Sequence, residues 1–258
     1  MSAAVAKGPV RPRTRGPIEL TLEVSFGLFF ITLFAWFVGL AIEIAGSYTL
    51  WKDKGERHAQ ELVQQDLQHI AQAPRSLMVR DTVALSERIV AAVEAPYRAL
   101  GLLSWYERHH GSATGAASSA AASPQKQGGA MLKGVRQANA SIQSLLSRWV
   151  VMSMYVLQDV LLRLSVAFFA LPAFVLACLV GLVDGLVRRD LRRWGGGRES
   201  SFVYHHAKRY TGWALTGGFG LYLAWPFGGF NPAYMVFIFT TLVAFTMSTT
   251  VSAFKKYL

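Results

Sequence analysis

From Tyr210 to Phe254 the chain runs for 45 residues without a charged side chain. A helix in a soluble core needs a polar face, and an apolar tract of this length has none, so it is suited to lipid. Trp225-Pro226-Phe227-Gly228-Gly229-Phe230-Asn231-Pro232 interrupts the tract, and its two prolines and two glycines predict a tight reversal. The tract therefore reads as two membrane-spanning helices, 210–226 and 233–254, joined by a periplasmic turn at 227–232.

Two further uncharged runs have spanning length, Val24 to Ile42 with 19 residues and Leu164 to Val183 with 20. At 1.5 Å per residue each reaches about 30 Å, the thickness of the hydrocarbon core. The expected fold is all-α, a polytopic membrane protein with four transmembrane helices and a helical periplasmic segment. Its divisions are a basic cytoplasmic N-terminus (1–19), a first span (20–42), the periplasmic segment (43–159), a second span (160–185), a basic cytoplasmic loop (186–209), the hairpin, and a cytoplasmic C-terminus (255–258). The first apolar run exceeds the ~7–15 residues usual in a secretory signal, so it is expected to remain as an anchor. Cys178 is the single cysteine and can form no intrachain disulfide; inside the second span it reads as a small packing residue.

Basic residues set the orientation. Lys7, Arg11, Arg13 and Arg15 precede the first span, seven Lys and Arg lie between Arg188 and Arg209, and Lys255-Lys256 follow the last span. With four spans all three groups fall on one side, as the positive-inside rule requires. Both termini are then expected to be cytoplasmic. The segment Glu43 to Asp159 carries 12 Lys and Arg against 10 Asp and Glu, balanced as expected for a translocated segment. The net charge of +11 is thus mostly cytoplasmic, and is not the signature of a soluble nucleic-acid-binding protein.

Within 43–159, Ala59, Leu62, Val63, Leu67 and Ile70 recur at helical spacing and Pro74 ends that helix. Val79, Val83, Val90, Val93, Tyr97 and Leu100 mark a second helix with Pro96 as a kink. The two are expected to pack on each other or on the membrane surface. Residues 111–129, rich in Ala, Ser and Gly, read as a flexible linker. From Met131 a further helical stripe meets no breaker before the second span, which predicts one long helix entering the bilayer. Asp159 and Arg163, four apart, are placed to pair near the interface. Pro172 should kink the second span. Glu23 and Glu43 flank the first apolar run, and His58 and His69 are expected on a solvated face.

Small residues offer packing surfaces inside the membrane. Thr240, Ala244, Ser248 and Ser252 form a stripe spaced by four, and Ala214 and Gly218 offer a matching face on the preceding span. This predicts packing within the hairpin or docking of another subunit. Gly181 and Gly185 also make a G-x-x-x-G, but with Asp184 inside it the match carries little weight.

No H-E-x-x-H, G-x-S-x-G or Walker loop is present, so no catalytic residue, cofactor or metal ligand is assigned and the chain is not expected to be an enzyme. The basic loop is the best functional candidate. Arg188, Arg189, Arg192 and Arg193 form pairs four apart, with Leu186, Leu191 and Trp194 on an adjoining face. Such a segment binds anionic membrane lipids, at about 1 kcal/mol per basic residue, or docks a cytoplasmic ATPase or a nucleic-acid backbone.

The stretch Val183 to Arg209, VDGLVRRDLRRWGGGRESSFVYHHAKR, resembles the corresponding stretch of the integrating conjugative element membrane protein family, and the order of spans is similar as well. The resemblance implies a bacterial inner-membrane component encoded with a type IV secretion apparatus and acting in conjugative DNA transfer, with a coupling ATPase and other secretion subunits as partners. It supplies no catalytic residues. The chain is accordingly expected to be a structural or docking component of that machine, with homo-oligomerisation open. The rival expectations are a small oligomeric transporter or channel, and an exclusion protein acting in the recipient membrane.

Overall fold

The computed structural model describes residues 16–73, 76–108, 130–195, 217–225, 228 and 231–253. Among these the structure is helical throughout, with six helices of defined extent: α1 (Pro17–Thr49), α2 (Glu56–Gln72), α3 (Thr82–Ala99), α4 (Ala130–Phe169), α5 (Leu171–Trp194) and α6 (Pro232–Ser252). Residues 102–108 and 217–223 are also helical. The linker 111–129 and residues 196–216, which include most of the basic loop and Ala214, lie outside the described residues.

Among the described residues four helices are long and apolar enough to cross a membrane: α1, residues Ala138–Phe169 of α4, α5 and α6. Most of the third span expected at 210–226 lies outside the described residues. The segment expected as a single span at 160–185 is divided at Ala170, where α4 ends and α5 begins. Pro172 stands in the first turn of α5 and has no N–H to donate to the preceding turn, so the kink anticipated there is a full helix break. Helix α4 is the long helix expected from Met131, and Met152 and Val156 of its apolar stripe are buried against other helices.

Helix α1 begins with Pro17 at its first position and Glu19 in its first turn, both favourable at a helix N-terminus. Its outer surface exposes Phe26, Phe29, Phe30, Phe34 and Phe37. Ala35, Gly39, Glu43 and Gly46 form the buried face. There Gly39 leaves room for Val156, whose Cγ1 lies 3.0 Å from where a Cβ would stand, and the Trp36 indole donates to the Ser153 carbonyl at 3.0 Å.

Helices α2 and α3 form an antiparallel pair laid along the second half of α4. The turn into α2 requires Gly55 at φ +51°. The helix ends at Ala73, held extended before Pro74. Asp81 caps α3 by accepting from the Ala84 N–H at 2.9 Å. The α2 residues Val63 and Ile70 pack on Leu162, with Val90 of α3 beside them. Each such buried aliphatic side chain contributes roughly 1.5–3 kcal/mol. Polar ties fix the register: Gln158 donates to the Val90 carbonyl at 3.2 Å, and the Tyr97 and Ser153 hydroxyls meet at 3.3 Å. Tyr106 donates to Glu56 at 2.9 Å, and burial together with that carboxylate raises the phenol's pKa well above its usual value.

Helices α5 and α6 make the other major contact. Gly181 faces Ala244 and Met247, and Gly185 faces Ser248 and Val251, so the registers advance together and the two helices run parallel. A Cβ at Gly185 would sit 2.7 Å from the Ser248 carbonyl oxygen, which is why only glycine permits this approach. Close backbone contact of this kind, with Cα–H groups facing carbonyls, joins helices where lipid gives no hydrophobic drive.

Candidate functional site

The structure contains two candidate sites. One was anticipated at the basic end of α5, and the other is an internal ion cluster of which the sequence showed only a part.

At the end of α5, Arg188 is half exposed and pairs with Asp184 at 2.8 Å. The Ser248 hydroxyl of α6 donates to the same carboxylate at 2.5 Å. Arg192 donates to the Ser252 carbonyl at 3.4 Å, bonding the last turn of α6, and Arg189 lies 3.6 Å from Asp190. Arg193 is exposed, and Trp194 is 92% exposed. The cluster thus divides in function: Arg188 and Arg192 help hold α5 to α6, whereas Arg193 and Trp194 present a charge and a flat aromatic surface outward.

Of the expected packing residues, Ala244, Ser248 and Ser252 face α5. Gly218 packs under the Phe239 ring, 3.1 Å from where its Cβ would stand, so the hairpin contact with the third span exists at that point. Thr240 bonds the carbonyls of Val236 and Phe237 in its own helix. The partner for most of the small-residue stripe is the Gly181/Gly185 pair, which the sequence reading had set aside.

The second site centres on Arg163, 5% exposed. Its Nε donates to Asp66 Oδ2 at 3.1 Å, and its Nη2 lies 3.1 Å from Asp159 Oδ1. Its Nη1 donates to the Tyr222 carbonyl at 3.2 Å and to that of Trp225. The guanidinium therefore binds two carboxylates and the C-terminal end of the helical residues 217–223, where the backbone dipole is negative. The expected Asp159–Arg163 pair is present, but inside the protein and with a third member from α2.

Beside this group, Glu43 is 2% exposed and its Oε1 lies 2.8 Å from His58 Nδ1. The His58 ring stacks on Trp51 with centroids 4.0 Å apart and planes within 13°. The expectation of a solvated His58 is thereby corrected: its side chain is 15% exposed, because the turn after Trp51 sets the first turn of α2 beside the end of α1, where the imidazole meets Glu43 and stacks on Trp51. A cavity of about 10 Å³ separates the two groups, bounded by Gly39, Glu43, Asp159, Val160, Leu223 and Trp225. Such a cluster can hold charge and exchange protons; among the described residues no group of His, Cys, Asp and Glu is arranged to hold a metal ion.

The signal for this site was present but weak. Asp66 stands at the fourth place of the series 59, 62, 63, 66, 70, within the apolar stripe of α2, and Glu43 likewise falls on the inner series 35, 39, 43, 46 of α1. A carboxylate on the buried face of a helix needs a buried partner.

Together these features define a helical, membrane-associated protein in which the more polar helix α2 is tied to α1, α4 and the 217–225 segment by an internal ion cluster. Residues 50–255 match the family described as IncC plasmid conjugative DNA transfer protein DtrJ-like, and the chain belongs to this DtrJ-like family. The conjugation-associated character implied by the Val183–Arg209 stretch is borne out, and the family is one of conjugative DNA transfer. No curated protein and no solved structure matches the chain.

Proposed function

We propose that the protein is an inner-membrane docking component of a conjugative type IV secretion apparatus, with both termini in the cytoplasm. In this reading the outward face of α5's basic end contacts a cytoplasmic partner such as the coupling ATPase. The observation that carries it is the combination of membership in a conjugative DNA-transfer family with an exposed Arg193–Trp194 edge on a helix apolar enough to span a membrane. The parallel register of α5 and α6 supports the orientation. It sets the arginine cluster beside the end of α6, beyond which the chain carries Lys255 and Lys256, so these basic groups share one side. The role is structural rather than catalytic.

The test separates docking from folding. The pair Arg193→Gln and Trp194→Ala leaves the Arg188–Asp184 and Arg192–Ser252 contacts in place. Donor cells carrying it should insert the protein normally, transfer DNA less efficiently, and recover less coupling ATPase or channel subunit with the tagged protein in mild detergent. Undiminished transfer would remove the docking role. Recovery of the protein with itself alone would favour a self-contained oligomer.

A further inference from the structure

The ion cluster holds more negative than positive groups. Glu43, Asp66 and Asp159 are three buried carboxyls facing Arg163 and the His58 imidazole, so even with the imidazole charged full ionisation leaves one net negative charge. A net charge in a low-dielectric interior is costly, and the usual relief is a proton on one of the acids. Among the described residues no other cation is paired with these carboxyls. From α2 the cluster is faced by His58 and Asp66, from α4 by Asp159 and Arg163, from the 217–225 segment by Tyr222, and from the α1–α2 turn by the Trp51 indole.

Geometry gives the proton a place. Glu43 Oε2 is buried without a hydrogen bond of good geometry, although the Trp51 indole lies beside the carboxylate. Across the cavity from Glu43 lies Asp159, and the carboxyl of Asp159 is within hydrogen-bonding reach of Asp66. A cavity of about 10 Å³ accommodates roughly one water. His58, 15% exposed, is the member of the cluster nearest solvent; the Glu43 side chain is 2% exposed, and those of Arg163, Asp159 and Asp66 are 6%, 8% and 9% exposed.

We propose that Glu43, Asp66 and Asp159 together bind one exchangeable proton, linked by a water in the cavity between Glu43 and Asp159 and reached from solvent through His58. In the exchange step a neutral His58 with its proton on Nδ1 takes a proton from hydronium at Nε2, releasing water, and the resulting imidazolium gives its Nδ1 proton to Glu43 Oε1, which leaves the Nε2–H imidazole. No bond other than N–H and O–H is made or broken. Arg163, held by two backbone carbonyls, closes the far side, so the site takes up a proton from one face without passing it across. This inference is independent of the docking role, since it concerns the cluster alone.

The test is infrared spectroscopy of the full-length protein in lipid nanodiscs at neutral pH. The wild type should show the carbonyl stretch of a buried protonated carboxylic acid that shifts in D₂O. Each of Glu43→Gln, Asp66→Asn and Asp159→Asn removes one negative charge and with it the need for the proton, so the band should vanish in all three. His58→Gln should keep the band and slow its deuterium shift. Absence of the band in the wild type, or its survival in all three carboxamide variants, would overturn the proposal. A thermal stability that rises with sodium at fixed pH, without the band, would overturn it in favour of a bound metal cation. An unchanged exchange rate in His58→Gln would overturn the assigned route.

Discussion

Replacing Arg163 by methionine is the most demanding test of the fold. The side chain makes two carboxylate contacts, at 3.1 Å to Asp66 and 3.1 Å to Asp159, and donates to the carbonyls of Tyr222 and Trp225. Methionine fills much of the space but leaves both carboxylates without their cation. Breaking a buried ion pair in this way costs about 3–5 kcal/mol, most of it the uncompensated charge left behind. For a chain of this size, roughly 2–4 °C per kcal/mol places the fall in Tm at about 6–20 °C. The assay is thermal unfolding of the purified protein in detergent, followed by the fluorescence of tryptophans near the cluster. Adding Asp66→Asn and Asp159→Asn to Arg163→Met removes the orphaned charges and should recover most of the loss. Arg163→Lys should fall between, because a point charge cannot reproduce the planar fork. A single variant within about 1 kcal/mol of wild type, or a triple variant no better than the single, would refute the claim that paired burial holds these helices together.

Gly185→Leu should cost about 1–3 kcal/mol by overpacking, since even its Cβ would stand 2.7 Å from the Ser248 carbonyl; unchanged thermal stability would show that α5 and α6 do not meet there. Ser248→Ala should cost only about 0.6 kcal/mol, because Asp184 keeps its Arg188 partner at 2.8 Å, and a loss several times larger in the same assay would contradict that sharing. Asp81→Ala removes the cap on Ala84 and should lower stability by about 1 kcal/mol, with Asp81→Asn close to wild type.

Helix identity was legible wherever one physical cause dominated. The Ala59–Ile70 stripe predicted α2, Pro172 marked the place where a kink was expected and the helix instead breaks, and uncharged length predicted apolar helices. The internal cluster was harder to see because its members come from α1, α2, α4 and residues 217–225, and a single sequence gives no distances between them. What it did give was Asp66 inside an apolar stripe, a local conflict that only a buried partner resolves. The Gly181/Gly185 pair was passed over because Asp184 seemed out of place in a packing motif. That carboxylate instead reaches past the crossing point to Ser248 and Arg188, so the polar residue reinforces the contact it was taken to spoil.

The same contacts say how a force on one part of the molecule reaches another. Helix α4 meets α5 only at the break around Ala170, and α5 packs chiefly on α6. The bundle of α1 to α4 is joined to the α5–α6 pair by this backbone break, by the 217–225 segment that leads into α6, and by an apolar core in which Phe239 of α6 is buried with Met152, Val156 and Val160 of α4. Arg163 grips that segment through two carbonyls while holding Asp66 of α2 and Asp159 of α4. A partner that shifts α2 must either break the Asp66–Arg163 pair, at a cost comparable to the Arg163→Met loss, or carry the 217–225 segment along. In the second course movement of α2 is transmitted toward α6 and the basic end it adjoins. Arg163, with contacts on three elements, adds a polar link to the apolar core that these elements share, and a link of this kind is the physical warrant that spatial proximity alone would not supply.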